Sequence, residues 1–411
     1  MSSPGTKWGS LQRIDSIDVI RGLVMVIMAL DHVRDWVHAP SIMFQDPTDL
    51  ATTTPWLFFT RFVTHFCAPT FVFLSGTSIF LSMMRRGADR TARLFLLKRG
   101  LWLILLELTV ITFGWFFMPS YPVIVLQVIW AIGVSMIVLS LTTSWGVRAN
   151  LVIGLAIIFG HNLLDLIPSQ PNDFSGNLFL NVVHDGLFTP LGGGHFLALV
   201  YPVLPWIGIM MTGYAFGILF TDRYATSRRQ IMRRIGIGAI VAFVVVRALN
   251  LYGDPLLWSM QKDWIFTVMS FLRCEKYPPS LLYTLMTLGP TLLLLSLLPE
   301  TYTKSYAKPY STTYAKPYNV LRTFGRVPMF YYILHIYLGH AIGVVLIMMQ
   351  GYPLSAFGDP NTFSGAPKGS GYGLAVTYAA WIALVVLLYP LCTWYDGVKT
   401  RRKDIALLRY L

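Results

Sequence analysis

The chain of 411 residues is 55% hydrophobic and only 12% charged, with a mean hydropathy of +0.58, whereas a soluble protein carries about a quarter charged residues. An ordinary soluble domain is therefore excluded and a polytopic membrane protein is predicted. The net charge of +13 does not indicate nucleic acid as a partner, because the basic residues fall in short segments between apolar runs, the pattern of cytoplasmic loops beside a lipid bilayer.

The first apolar run, Leu23 to Leu30, follows Lys7, Arg13 and Arg21. It lacks a small-residue cleavage site and is too long for a signal peptide, so it is expected to remain as a membrane helix. The run is entered through Asp18, Arg21 and Gly22 and left through Asp31, His32, Arg34, Asp35 and His38. Helical spacing puts Asp31, Arg34, Asp35 and His38 on one face, with His32 within reach of Asp35. A charge at membrane depth costs roughly 2.5–3.5 kcal/mol, so this stripe should face protein or a wet cavity. The alternative is an interfacial helix end that keeps its charges in water.

A second helix is predicted over Pro55–Met84, with Arg61 and His65 on one face, a kink at Pro69, and Ser75, Gly76 and Ser78 allowing close helix contact. The third follows Lys98, Arg99 and Gly100 and contains Glu107, which needs a partner at that depth. The fourth, Pro122–Leu141, holds Gln127; the fifth, Leu151–Ile167, ends with His161, Asn162 and Asp165. An external loop, Pro168–Leu197, follows with Asp173, His184, Asp185 and the run GGGH ending at His195. Without a preceding strand and a P-loop lysine the glycines predict a flexible loop rather than a phosphate cradle. The sixth helix, YPVLPWIGIMMTGYAFG, returns to Arg223, Arg228, Arg229, Arg233 and Arg234, and the seventh spans Ile235–Leu251 past Arg247.

Gly253–Pro279 is a second external segment, amphipathic around Trp258 and Trp264, whose two prolines start an eighth helix reaching Leu298. The near-duplicate octads SYAKPYST and TYAKPYNV, within Tyr302–Val320, predict an extended cytoplasmic linker. A ninth helix contains MFYYILHIYLGH with His335 and His340, and the tenth, Gly373–Tyr395, ends at a basic tail from Lys399 to Lys403. The expected architecture is all-α, a bundle of about ten transmembrane helices with both termini cytoplasmic. It comprises a cytoplasmic N-terminal tail (1–16), a membrane domain (17–395) and a basic cytoplasmic tail (396–411).

This topology puts His32, His38, His65, His161, His184 and His195 in outer halves or external loops, and His335 nearer the inner side. Histidine exchanges a proton near neutral pH, so His32, His38 or His65 with Asp31 or Asp35 as orienting carboxylate has the parts for general-base acyl transfer. No HxH or HExxH spacing exists, and Cys67, Cys274 and Cys392 lie in separate segments. Neither a metal nor a disulfide framework is expected. At the inner mouth Arg21, Arg85, Arg86, Lys98, Arg99, Arg322 and Arg326 could hold a multiply charged cytosolic anion such as a phosphate group. Positive-inside topology accounts for the same residues, and Arg21 could instead anchor its helix by pairing with Asp18.

DVIRG with His32 and His38 beyond it, RFVTHFCAPTFVFLSGTS, LQVIWAIGVSM and FGRVPMFYYILHIYLGH together resemble the heparan-alpha-glucosaminide N-acetyltransferase catalytic-domain family over nearly the whole chain. The closer likeness is to its bacterial branch, which lacks the luminal domain of the lysosomal enzyme. The spacing from Arg21 to His32 also resembles the first helix of the acyltransferase-3 family, where an arginine-glycine pair precedes a functional histidine. The resemblance implies a multi-pass protein of the bacterial inner (plasma) membrane. It would take acetyl-CoA from the cytoplasm as acyl donor and acetylate an extracytoplasmic amino sugar or envelope glycan, with room for a homo-oligomer. In the lysosomal enzyme an asparagine and a following histidine form the catalytic pair; His32 stands at the asparagine position, and His38 best matches the histidine. Arg21, Arg99 and Arg326 would bind the CoA phosphates. Which histidine is the base, and whether transfer is direct or through an acyl-histidine, stays open. A transporter or permease is the competing class, since polar groups inside membrane helices also mark substrate pathways.

Overall fold

The computed structural model describes residues 13–402 apart from 88, 168–176, 299–314 and 360, together with 404, 405 and 408. Lys7, Asp173, Lys403 and the octads up to residue 314 lie outside the described residues.

Helix α1 (Asp15–Val37) has Asp15 and Asp18 in its first turn and Arg34 in its last, which suits the two ends of the helix dipole. The short α2 (Ala39–Ile42) follows. The expected second helix is broken: α3 (Pro55–Thr64) and α4 (Cys67–Arg86) meet at His65 and Phe66. Pro69 sits in the first turn of α4, where the missing N–H has no intrahelical acceptor to lose. The third is α5 (Arg90–Leu106), continued by a π-helical turn (Glu107–Ile111) into α6 (Thr112–Phe116).

The fourth helix starts later than expected, because Val123–Leu126 pairs as strand β1 and only Val128–Thr142 is helical, as α7. A reversal at Gly146, with φ +87°, leads into α8 (Gly146–Gly160). The segment expected as a flexible loop carries α9 (Leu178–Leu180) and a hairpin of β2 (Leu187–Gly192) and β3 (His195–Leu199). Its Gly192, Gly193 and Gly194 all have positive φ, so they make the hairpin turn. β3 pairs antiparallel with β2 and parallel with β1, Val123 opposite Phe196. The expectation of an all-α chain is corrected accordingly: the fold is mostly helical with one three-stranded sheet.

Next come α10 (Val203–Phe216), α11 (Arg228–Leu249), α12 (Trp264–Leu272) and α13 (Leu281–Leu297), the last capped by Ser280, whose Oγ accepts from the Tyr283 N–H at 3.0 Å. Arg247 is buried and donates to the carbonyls of Ser270, Phe271 and Arg273 at 3.0, 2.9 and 2.6 Å. Arg247 therefore staples the end of α12 to α11. The last elements are α14 (Ala315–Arg326), α15 (Pro328–Met349) and α16 (Leu374–Arg401). Residues 315–320, expected in an extended linker, are thus helical, and α16 runs beyond Tyr395 into the expected tail.

Among the described residues, five stretches are long and apolar enough to cross a membrane: Pro55–Arg85, Val128–Leu166, Val203–Phe220, Pro328–Met349 and Leu374–Arg401. Glycines set how closely the helices approach. A Cβ at Gly76 on α4 would lie 2.1 Å from the Met210 carbonyl oxygen on α10, and one at Gly213 on α10 would lie 2.1 Å from that of Phe73. α1 and α14 touch in the same way: a Cβ at Gly22 would meet the Leu321 oxygen at 1.8 Å, and one at Gly325 the Asp18 oxygen at 1.8 Å. Only backbones without a side chain between them come this near. That contact brings the last turn of α14, with Arg326, beside Arg21.

Candidate active site

The polar end of α1 opens on a cavity of about 340 Å³. Asp31, His32, Arg34 and Asp35 form one wall, Arg61 of α3 a second, and Lys276, Tyr277, Tyr201, Trp115 and Gln127 close it from other elements. Asp31 is 7% exposed and lies between two guanidinium groups: Arg34 Nη1 is 2.9 Å from its Oδ1, and Arg61 is paired with its Oδ2. Arg34 Nη2 also donates to Asp35 Oδ1 at 2.8 Å. The charged stripe thus faces a cavity, and its carboxylates are paired with arginines, as burial requires.

His32 is held by His335, a residue expected nearer the inner side of its helix. His335 of α15 lies with its Nε2 2.7 Å from His32 Nδ1, and its own Nδ1 is 3.2 Å from the Tyr331 carbonyl oxygen. A carbonyl can only accept, so His335 Nδ1 carries the proton and its Nε2 is an acceptor. His32 Nδ1 must then donate to it, which leaves His32 Nε2 with the free lone pair. This fixes the tautomer a general base or acyl acceptor needs. Trp115 packs edge-on to His32 with ring centroids 4.8 Å apart.

This arrangement corrects one expectation. Among the described residues neither Asp31 nor Asp35 hydrogen-bonds an imidazole; both carboxylates are taken by arginines, and His335 orients His32 instead. His38 follows α1, with its Nδ1 3.3 Å from Ser41 Oγ. Ser41 lines the cavity but His38 does not. Burial, with Arg34 nearby, pushes the His38 imidazole down to about 4, so it is neutral at physiological pH. His65 is also off the cavity wall: it is 4% exposed at the break between α3 and α4, packed against Tyr283 at 5.4 Å between rings. His184 and Asp165 bond each other at 2.6 Å beside His161, and His195 Nδ1 donates to the Tyr121 carbonyl at 2.9 Å. None of these lines the cavity at His32. No group of three or more His, Cys, Asp or Glu among the described residues is placed to hold a metal ion.

At the other end of α1 the structure brings Arg21, Arg99 and Arg326 to one cavity of about 240 Å³, joined by Arg13 and Lys399. Arg21 pairs with Asp18 at 3.1 Å, donates to Ser78 Oγ at 2.7 Å and reaches the Gly325 carbonyl at 3.2 Å. Arg326 is 3.2 Å from Asp396 of α16. An apolar extension of about 80 Å³ adjoins this mouth at Arg21, Ser75, Arg99, Met136 and Pro328, and continues past Met25, Met28, Leu103, Val128, Ile129 and Tyr332. Met28 is one turn below His32, and Gln127, on the outer cavity, precedes Val128 on this passage. His32 lines the first of these spaces and Tyr332 the second, with their ring centroids 6.4 Å apart.

Glu107 also gains its partner here. It is fully buried, and its Oε1 accepts from the Gln127 N–H at 3.0 Å, which fastens the start of α7 where passage and cavity approach. Glu107 opens the π-helical turn, a kind of insertion frequent at functional sites. Lys276, Tyr277 and Tyr201 were not expected at the site, and His335 was expected only as a helix residue nearer the inner side. Their neighbours in space come from segments tens to hundreds of residues away.

Apolar helices long enough to cross a membrane, with charged side chains gathered at two cavities near the two ends of α1, define a polytopic helical membrane protein. Residues 13–253, more than half of the chain, match the family described as heparan-alpha-glucosaminide N-acetyltransferase, catalytic. The chain belongs to that family, which is one of transmembrane acetyltransferases. The match includes Arg21, Asp31, His32, Asp35, His38, His65 and Arg99; Arg326, Tyr332 and His335 lie beyond it. Among curated proteins no relative matches the chain.

Proposed function

We propose that this protein is an integral-membrane acyltransferase that takes the acetyl group of cytosolic acetyl-CoA and transfers it to an amine or hydroxyl of an extracytoplasmic acceptor, an amino sugar or envelope glycan. The observation that carries this reading is the alignment of a basic mouth, an apolar passage and His32 along one helix. The 11 residues from Arg21 to His32 rise about 16 Å on an ideal helix. Arg21, Arg99, Arg326 and Lys399 suit the phosphates of CoA, the apolar walls suit its pantetheine arm, and the thioester would then arrive level with His32. On the far side, the outer cavity has the size and polarity to admit one sugar unit next to His32 Nε2. His32 would remove the proton of the attacking amine or hydroxyl, or carry the acetyl group itself.

Proteoliposomes given radiolabelled acetyl-CoA on the cytoplasmic side and an amino sugar on the other test this reading. Acceptor-dependent loss of thioester, with label recovered on the sugar, is expected. Uptake of solute without thioester loss would identify a transporter instead.

Arg21→Ala should weaken CoA binding by about 1.5–3 kcal/mol, the usual loss for a charge-assisted contact. Calorimetric titration with CoA measures it. Unchanged affinity would leave Arg21 only as the anchor between Asp18, Ser78 and α14.

The same reading uses ten crossings with both termini cytoplasmic in the inner membrane. α1, α3 with α4, α5, α7, α8, α10, α11, α13, α15 and α16 supply them in alternating directions. A reporter fused after Pro171 should score external and one after Tyr310 cytoplasmic, because α10, α11 and α13 intervene. The same side for both would overturn the count.

A further inference from the structure

Tyr332 has no role in the account above. It is 4% exposed, it lines the apolar passage, and its hydroxyl is buried with no hydrogen-bond partner among the described residues. Its ring stands edge-on to both imidazoles of the pair, with centroids 6.4 Å from His32 and 5.2 Å from His335. A hydroxyl withdrawn from water without an acceptor is costly, and native folds leave such groups rarely. This one is at the end of the passage away from the arginines: Pro328, at the mouth, is one turn before it on α15, and His335 is one turn after it.

We infer that Tyr332 is a catalytic residue whose hydroxyl donates to the thioester carbonyl oxygen as negative charge develops there. The inference rests on the acyltransferase reading. As the acceptor nitrogen forms its bond to the carbonyl carbon, the C=O electron pair moves onto oxygen, where the Tyr332 O–H meets it. His32 Nε2 takes the proton from the nitrogen. When the carbonyl re-forms, the C–S bond breaks, its electron pair leaves with sulfur, and His32 returns the proton to the CoA thiolate. Amine and thioester become amide and thiol with no other reactant. If an acetyl-His32 forms first, the same oxygen carries charge in both half-reactions, and Tyr332 serves each.

Removing one preorganised donor to an oxyanion lowers kcat ~10²–10³-fold. Tyr332→Phe keeps the ring and deletes only the hydroxyl, so it should lower kcat by that factor and leave the KM for acetyl-CoA within twofold. Infrared difference spectra with carbonyl-labelled acetyl-CoA, taken without acceptor, should show a lower carbonyl stretching frequency on the wild-type protein than on Tyr332→Phe. Thermal midpoints of the two proteins show that the fold is retained. A raised KM with unchanged kcat would instead make Tyr332 a partner of the pantetheine amides, and full activity with an unmoved carbonyl band would remove it from the site; either result overturns the assignment. Absence of transfer by the wild-type protein in the same assay overturns the acyltransferase reading itself, a different failure.

Discussion

Replacing His32 with alanine is expected to lower acetyl transfer about 10²–10⁴-fold, the usual loss for a general base, while CoA affinity stays within error. The expectation follows from the chain of hydrogen bonds running from the Tyr331 carbonyl through His335 to His32, which leaves His32 Nε2 as the free base. Single-turnover kinetics with a saturating acceptor measure the chemical step, and titration with CoA measures binding. His38→Ala should cost less, because its imidazole stands behind Ser41 rather than on the cavity wall. His65→Ala should be the mildest for turnover, since that ring is packed against Tyr283. Loss of activity in His38→Ala alone would favour the pattern of the lysosomal enzyme over that of the acyltransferase-3 family. Full activity in both His32→Ala and His38→Ala would remove this mechanism.

Asp31→Ala should produce the largest loss of stability. Its carboxylate is shared by Arg34 and Arg61, whose side chains are 4% and 12% exposed, and removing it leaves two guanidinium groups without their common counter-charge. Breaking a buried ion pair from one side costs roughly 3–5 kcal/mol, because the remaining charge stays desolvated. A lower thermal midpoint in detergent is the readout, and Asp31→Asn should fall almost as far because it keeps the shape and loses the charge. Adding Arg61→Ala to Asp31→Ala should recover part of the loss, since one uncompensated cation then disappears. A midpoint unchanged in all three proteins would mean that water in the outer cavity solvates these arginines fully.

The contrast between these sites shows which information is local. Apolar run length, the basic residues between runs, and the polar stripe at the end of α1 are statements about solvent. Lipid and water select them residue by residue, so the membrane class and the mostly helical fold were readable in order along the chain. Arg21, Arg99 and Arg326, expected together as basic residues flanking apolar runs, line one cavity. Backbone pairing between distant segments left no such trace. Val123–Leu126 reads like the start of a membrane helix and becomes a strand because the hairpin carrying β3 offers it partners.

The roles of the charged groups were decided in the same non-local way. By spacing alone, Asp31 or Asp35 was the natural partner for His32. The arginine of α3 and the histidine of α15 changed that, one by claiming Asp31 and the other by supplying a neutral acceptor 303 residues away along the chain. Glu107 announced only that it needed a partner; the Gln127 N–H became one because α5 takes a π-helical turn there. The sequence by itself determined which residues must leave lipid, since burial cost depends on each side chain's own chemistry. Only the tertiary structure decided which of them touch, because at a hydrogen-bond distance of 2.7 Å the choice of partner depends on where two remote helices cross.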